Sequence, residues 1–160
     1  MVPAAPIATT SSTSPGSYVT PDQILLVRTS WPAIASDPDA MTIRFYARLF
    51  DIDESAARLF AGVDMAAQRA KLAQALAVVV KALDDPDSLL PAIAALGKRH
   101  VTYGVELRHF DSVGAALLRA LGDVLGDALT AELREAWAEA YALVASVMRR
   151  AIIRSRETAA

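Results

Sequence analysis

An all-α domain is what this sequence predicts, and three observations carry the prediction. Apolar residues make up 54% of the 160, with alanine and leucine, both strong helix formers, prominent among them. The apolar positions recur at spacings of three and four, the period of a helix face. No stretch of useful length alternates as a strand would, and no unit repeats at a fixed period. The length suffices for one domain with a sizeable core.

Residues 1–19 are expected to form a flexible tail. They are rich in Pro, Ser and Thr and lack the basic start and long apolar run of a secretory leader. The ordered domain is expected over 20–155, with 156–160 disordered. Thr20-Pro21-Asp22-Gln23 reads as a helix start: a capping hydroxyl, proline at the first helical position and Gln at the third. That helix carries Ile24, Leu25, Val27 and Trp31, then meets Pro32. A proline inside a helix costs about 3 kcal/mol, so the helix should kink or thin out near Ala35.

Asp37-Pro38-Asp39 restarts the pattern, and Met41, Phe45, Tyr46, Leu49 and Phe50 form its apolar stripe. A short helix is expected from Asp53 to Phe60, ending before Gly62. A long one begins near Asp64, with Met65, Gln68, Leu72, Ala75, Leu76, Val79, Val80 and Leu83 on one broad face. Asp84-Asp85-Pro86-Asp87 breaks it. The next helix runs from Ser88 to about His100. Gly104 and the segment to Arg108 turn the chain. Two long helices close it, about 109–125 and 130–154, separated by Gly126-Asp127. The total is seven or eight helices of uneven length, which argues against an up-down bundle.

Composition excludes several functions. There is no cysteine, so disulfides, thiol catalysis and thiolate-bound metals are out; this leans weakly towards a cytoplasmic location. Net charge is −2 with no basic run, which argues against a nucleic-acid partner. No apolar run approaches the roughly 18 residues of a membrane span. The strongest, 72–83, is interrupted by Gln74 and Lys81.

Three polar residues sit where apolar ones are expected. Tyr46 lies among Phe45, Leu49 and Phe50, and Gln68 shares a face with Leu72 and Ala75. His100 follows Ile93 and Leu96 on its helix. Each needs a partner if buried. A flat cofactor between the Gln68 and His100 helices would satisfy all three. With haem, His100 would ligate iron through Nε2, its other nitrogen donating to a backbone carbonyl. Tyr46 and Gln68 would face the opposite side, as donors to a gas ligand. Phe60 would wedge against the porphyrin edge. The plainer readings stand beside this: a capping or surface histidine, an exposed glutamine, a core tyrosine and a core phenylalanine. Spacing alone decides between none of them. The other histidine, His109, is expected to be exposed near a helix start and without a role. Lys98, Arg99 and Arg108 are most simply solvated, with a haem propionate as the other partner for one of them.

Residues 21–150 resemble a bacterial single-domain globin, of the lineage that includes the globin domain of flavohaemoglobins. The resemblance rests on RFYARLF (44–50), ARLF (57–60), QRAKL (68–72), LLPAIAALGKRHVTYGV (89–105), FDSVGAALLRAL (110–121) and AWAEAYALVASVM (136–148). It implies a three-over-three helical sandwich around haem b, with helices crossing steeply. It implies His100 as proximal ligand, Phe60 at the haem edge, and Tyr46 with Gln68 as the distal pair. Pocket walls would come from Leu72, Tyr103, Val105, Phe110, Val113 and Tyr141. The function implied is reversible binding of oxygen or another diatomic gas. The enzymatic alternative is nitric oxide dioxygenation; a third, a haem-free interaction module, is opposed by His100 and Phe60.

Two departures from the flavohaemoglobin pattern favour oxygen holding. That lineage has a tyrosine ten residues after the proximal histidine and a glutamate late in the last helix. The corresponding positions here are Phe110 and Ile152, which neither accept nor relay a hydrogen bond. The sequence also shows no G-x-G-x-x-G stretch for a dinucleotide, so turnover would call on an external reductase.

Overall fold

In a computed structural model that describes residues 19–159, seven α-helices and one 3₁₀ turn follow one another, with no strand among the described residues. The expected 1–18 part of the tail lies outside the described residues. The helices are α1 (Pro21–Ala35), α2 (Pro38–Ile52), α3 (Glu54–Leu59), α4 (Met65–Ala82), α5 (Pro86–Thr102), α6 (His109–Leu125) and α7 (Ala131–Thr158), with the 3₁₀ turn Gly126–Ala128 before α7.

Helix starts follow from short-range chemistry. Thr20 closes a capping box with Gln23, its hydroxyl taking the Gln23 N–H while the Gln23 side chain takes the Thr20 N–H. Asp37, Asp53, Asp64, Asp85 and Thr130 each accept from backbone N–H groups of the turn that follows. Prolines stand in the first turn of α1, α2 and α5, where no N–H is missed.

α1 passes through Pro32 and ends at Ala35, where it was expected to thin out. One expectation changes. α7 extends a turn past Arg154 to Thr158, so residues 156–158 are helical where disorder was expected.

Packing pairs α5 with α7 and α2 with α6 most extensively, while α4 meets α1 and α2. At the α5–α7 crossing a Cβ on Gly97 would lie 3.0 Å from both the Cα and the carbonyl oxygen of Met148. Only glycine permits that approach. Trp137 of α7 donates through Nε1 to Ser30 Oγ of α1 at 3.0 Å, and Arg28 ties α1 to Asp84 beyond α4. The core of Val27, Ile34, Met41, Leu49, Leu121 and Ile152 is fully enclosed.

α4 and α5 meet only sparsely. On α4 only Val80 is buried, although the helix is largely apolar; Met65, Leu72, Leu76 and Val79 are half-buried. Apolar area of this kind is costly to leave in water. Of the candidate residues, Gln68 lies on α4 and His100 on α5.

Candidate functional site

α5 ends in a way that fixes His100. Gly104 adopts φ +79°, the left-handed turn that glycine enters without penalty. The Val105 N–H donates to the His100 carbonyl and the Gly104 N–H to that of Val101, each at 3.3 Å. This paired closure is the Schellman motif, and it holds His100 in the last turn. His100 Nδ1 lies 2.7 Å from the Leu96 carbonyl oxygen. A carbonyl can only accept, so Nδ1 carries the proton and the neutral ring keeps its lone pair on Nε2. Burial pushes the imidazole below its ordinary pKa, against the opposing pull of the Leu96 carbonyl. The neutral, ligating form is therefore the favoured one.

Tyr46 of α2 and Gln68 of α4, 22 residues apart, are brought together: Gln68 Nε2 donates to Tyr46 Oη at 3.1 Å. Tyr46 is buried, and burial raises its hydroxyl pKa. With its oxygen accepting from Gln68, its own proton has no acceptor among the described residues. An aromatic cluster holds the ring. Phe45 and Phe60 meet it edge-on with centroids at 5.0 and 5.3 Å, and Phe50 lies at 5.9 Å.

The remaining residues are placed as follows. Leu72, Val105 and Val113 are half-buried against the core. Tyr103 is 61% exposed and stands edge-on to the His100 ring, centroids 5.7 Å apart. Phe110 is buried, with the Arg149 guanidinium 5.5 Å above its ring. Its backbone carbonyl accepts the Tyr141 hydroxyl. Gly114 makes room for Tyr141, since a Cβ there would come within 2.7 Å of the tyrosine ring. Ile152 is completely buried. Arg108 is paired with Glu106, while Lys98 and Arg99 are exposed.

His109 corrects the sequence reading: it is 3% exposed. Its Nδ1 accepts the Glu106 N–H at 2.9 Å, so Nε2 carries the proton and donates to Ser55 Oγ at 3.0 Å. Ser55 donates in turn to Asp53, and Ser112 donates to the other oxygen of the same carboxylate at 2.7 Å. The two hydroxyls hold Asp53 well below the usual carboxylate range. The local half of this network had a signal in the sequence. Glu106-x-x-His109 has the spacing of a side chain reaching back over a helix start. Asp53-x-Ser55 is a helix cap. That the two caps meet had none.

The globin family profile matches residues 43–148. The chain belongs to the globin family. This globin is 35% identical over 126 residues to the flavohemoprotein of Rhodopirellula baltica, covering 78% of this chain and 31% of that one. It is 34% identical over 132 residues to the flavohemoprotein of Bordetella parapertussis, covering 81% and 33%. It thus spans about a third of the length of these curated relatives. Among solved structures, an engineered carbene transferase built on a protein assigned as a nitric oxide dioxygenase from Rhodothermus marinus matches with TM-score 0.79, at 28% identity over 88% of this chain and 97% of that one. A bacterial globin from Campylobacter jejuni matches in fold with TM-score 0.76 at 22% identity, covering 86% and 99%. The expected globin fold is borne out.

The arrangement bears on what a cofactor here would need. Among the described residues no cluster of three or more His, Cys, Asp or Glu side chains could hold a bare metal ion. A single imidazole holds iron only if the iron brings equatorial ligands of its own, as a porphyrin does. The half-buried apolar residues of α4, the free lone pair on His100 and the unspent Tyr46 proton all suit such a group.

Proposed function

We propose that this globin holds haem b in the α4–α5 cleft and binds oxygen or another diatomic gas reversibly. The single observation that carries the proposal is the His100 ring. It is oriented by Leu96, kept neutral by burial, and left with Nε2 uncommitted. His100 would be the axial ligand, and Phe60, Leu72, Tyr103, Val105, Phe110, Val113 and Tyr141 would contribute to the haem surroundings. Bound haem supplies an iron with an open position for a diatomic ligand. The protein supplies the rest. Tyr46 offers a hydroxyl proton, Gln68 orients that hydroxyl, and the Phe45–Phe50–Phe60 cluster keeps the tyrosine in place. A hydrogen bond to a ligand carrying partial negative charge is worth about 1.5–3 kcal/mol.

The supporting comparison is a flavohemoglobin from Malassezia yamatoensis, solved with FAD and heme, that shares the fold at TM-score 0.70 with 21% identity, over 85% of this chain and 37% of that one. Ferric, ferrous and oxygenated visible spectra of the purified protein test the proposal. A Soret band that shifts reversibly on reduction and oxygenation is expected, and its absence would sink haem binding.

A second reading, nitric oxide dioxygenation, is favoured by the Rhodothermus marinus neighbour and by the same Tyr46–Gln68 pair. It would draw electrons from a reductase. Against it stand Phe110 and Ile152, both buried and apolar. They leave the Leu96 carbonyl as the one hydrogen-bond partner of the His100 ring among the described residues. Steady-state nitric oxide consumption with NADH and an added reductase separates the two. Turnover favours the enzyme, and a single stoichiometric round favours the gas binder.

A further inference from the structure

On the face of α5 that helix periodicity turns away from His100, a cavity of about 310 Å³ opens between α5 and the C-terminal half of α7. Its floor is Ala94, Val147 and Ala151, and its polar lining is Lys98, Arg150, Arg154, Ser155 and Thr158. No acidic side chain lines it. In the chain Arg150 and Arg154 are neighbours four residues apart, while Lys98 lies some 50 residues away. Folding collects them through helix periodicity. Arg150, Arg154 and Thr158 follow at intervals of four along α7, and Ala94 and Lys98 do the same on α5. The close crossing at Gly97 and Met148 sets the two rows side by side.

The charges are left uncompensated. Arg28, Arg48, Arg58, Arg108 and Arg149 each find a carboxylate within 2.9 Å. Lys98, Arg150 and Arg154 have none among the described residues, and all three are exposed. Like charges one turn apart on a helix repel and destabilise it slightly. Three cations facing a concave surface, with the Ser155 hydroxyl beside them, form a field that favours a compact multivalent anion.

We propose that this groove binds a diphosphate-bearing small molecule. Three fixed positive charges match the roughly three negative charges of a terminal diphosphate ester. Arg150 and Arg154 stand about 6 Å apart along the axis. The planar fork of Arg154 can take a phosphate in two-point fashion, and Arg150, whose Nε and Nη2 also donate to Ser146, offers its remaining N–H groups. Lys98 reaches across from α5 as a point charge, and the Ser155 hydroxyl donates to a remaining oxygen. The apolar floor leaves room for a small organic substituent. The site does not depend on what the α4–α5 cleft holds.

The experiment is isothermal titration of the full purified chain with inorganic pyrophosphate, ADP and inorganic phosphate, at matched ionic strength in sodium chloride. Pyrophosphate and ADP should bind with a saturable one-to-one isotherm, and inorganic phosphate at least about ten-fold more weakly. Arg154→Gln and Arg150→Gln should each weaken pyrophosphate binding on the order of ten-fold or more, with unchanged helical circular dichroism. Arg134→Gln, at the other end of α7, should leave it unchanged. ADP binding more tightly than pyrophosphate points to a nucleotide, and equal affinities point to the diphosphate alone. No saturable binding, or equal losses in Arg134→Gln and Arg154→Gln, would overturn the proposal.

Discussion

His100 and His109 stand nine residues apart, yet the fold puts them to opposite uses. His109 gives both ring nitrogens to the protein: Nδ1 takes the Glu106 N–H and Nε2 donates to Ser55. His100 gives only one, Nδ1, to Leu96. The first locks the start of α6 to the start of α3. The second leaves the Nε2 lone pair without a partner among the described residues. A histidine becomes available as a ligand where the fold orients one nitrogen and leaves the other unspent. Burial alone does not distinguish the two, since His109 is the more buried.

The sharpest way to break this contrast is to remove each ring in turn. His100→Ala should lose the Soret band or show a changed axial ligand, with the helical signal retained. His109→Ala should keep the Soret band. Loss of the band in His109→Ala with its helices intact would mean the wrong ring has been assigned. Next in size is the distal side, where Tyr46→Phe removes the unspent proton. Oxygen dissociation, followed by stopped flow, should quicken on the order of ten-fold or more. An unchanged rate would mean that Tyr46 does not reach the ligand.

His109→Phe should act on stability instead. It leaves the Glu106 N–H without its acceptor and removes the hydrogen bond that Ser55 accepts, while Ser55 still donates to Asp53, at a cost of about 1–3 kcal/mol. The melting temperature should fall while the oxygen off-rate stays put, and a moved off-rate would couple that corner to the site.

The smallest effect is in pH. Burial lowers the folded pKa of His100. The haem-free unfolded chain therefore takes up this proton more readily than the folded one. The stability linked to His100 is complete above the unfolded value of about 6.5 and is lost as pH falls below it towards the lower folded value. His100→Gln should flatten the pH dependence of haem-free melting in that window, and an unchanged slope would show that the ring is already free to protonate in the fold. Asp53 behaves with the same sign at more acid pH. The Ser55 and Ser112 hydroxyls depress its pKa, so its contribution is present above the ordinary carboxylate range and lost as pH falls towards the folded value.

Much of the fold was legible because helix ends are local events. The caps at Thr20, Asp37, Asp53, Asp64, Asp85 and Thr130 act within three residues of themselves. Gly104 marks the end of α5 by the same short-range logic. The candidate residues were legible as polar interruptions of apolar faces, sharpened by their resemblance to a bacterial globin. Helix continuation was harder. α7 ran on to Thr158 without a breaker to end it at Arg154.

What the sequence by itself determined was the helices, their inward faces and the residues able to carry chemistry, since these depend on neighbours within a turn or so. Only the tertiary structure decided which faces meet. It set Gln68 against Tyr46, buried His109 beside Ser55, gathered Lys98 with Arg150 and Arg154, and left the second nitrogen of His100 uncommitted. Periodicity gives the direction of a side chain from its own helix axis. It carries no information about which distant helix lies in that direction.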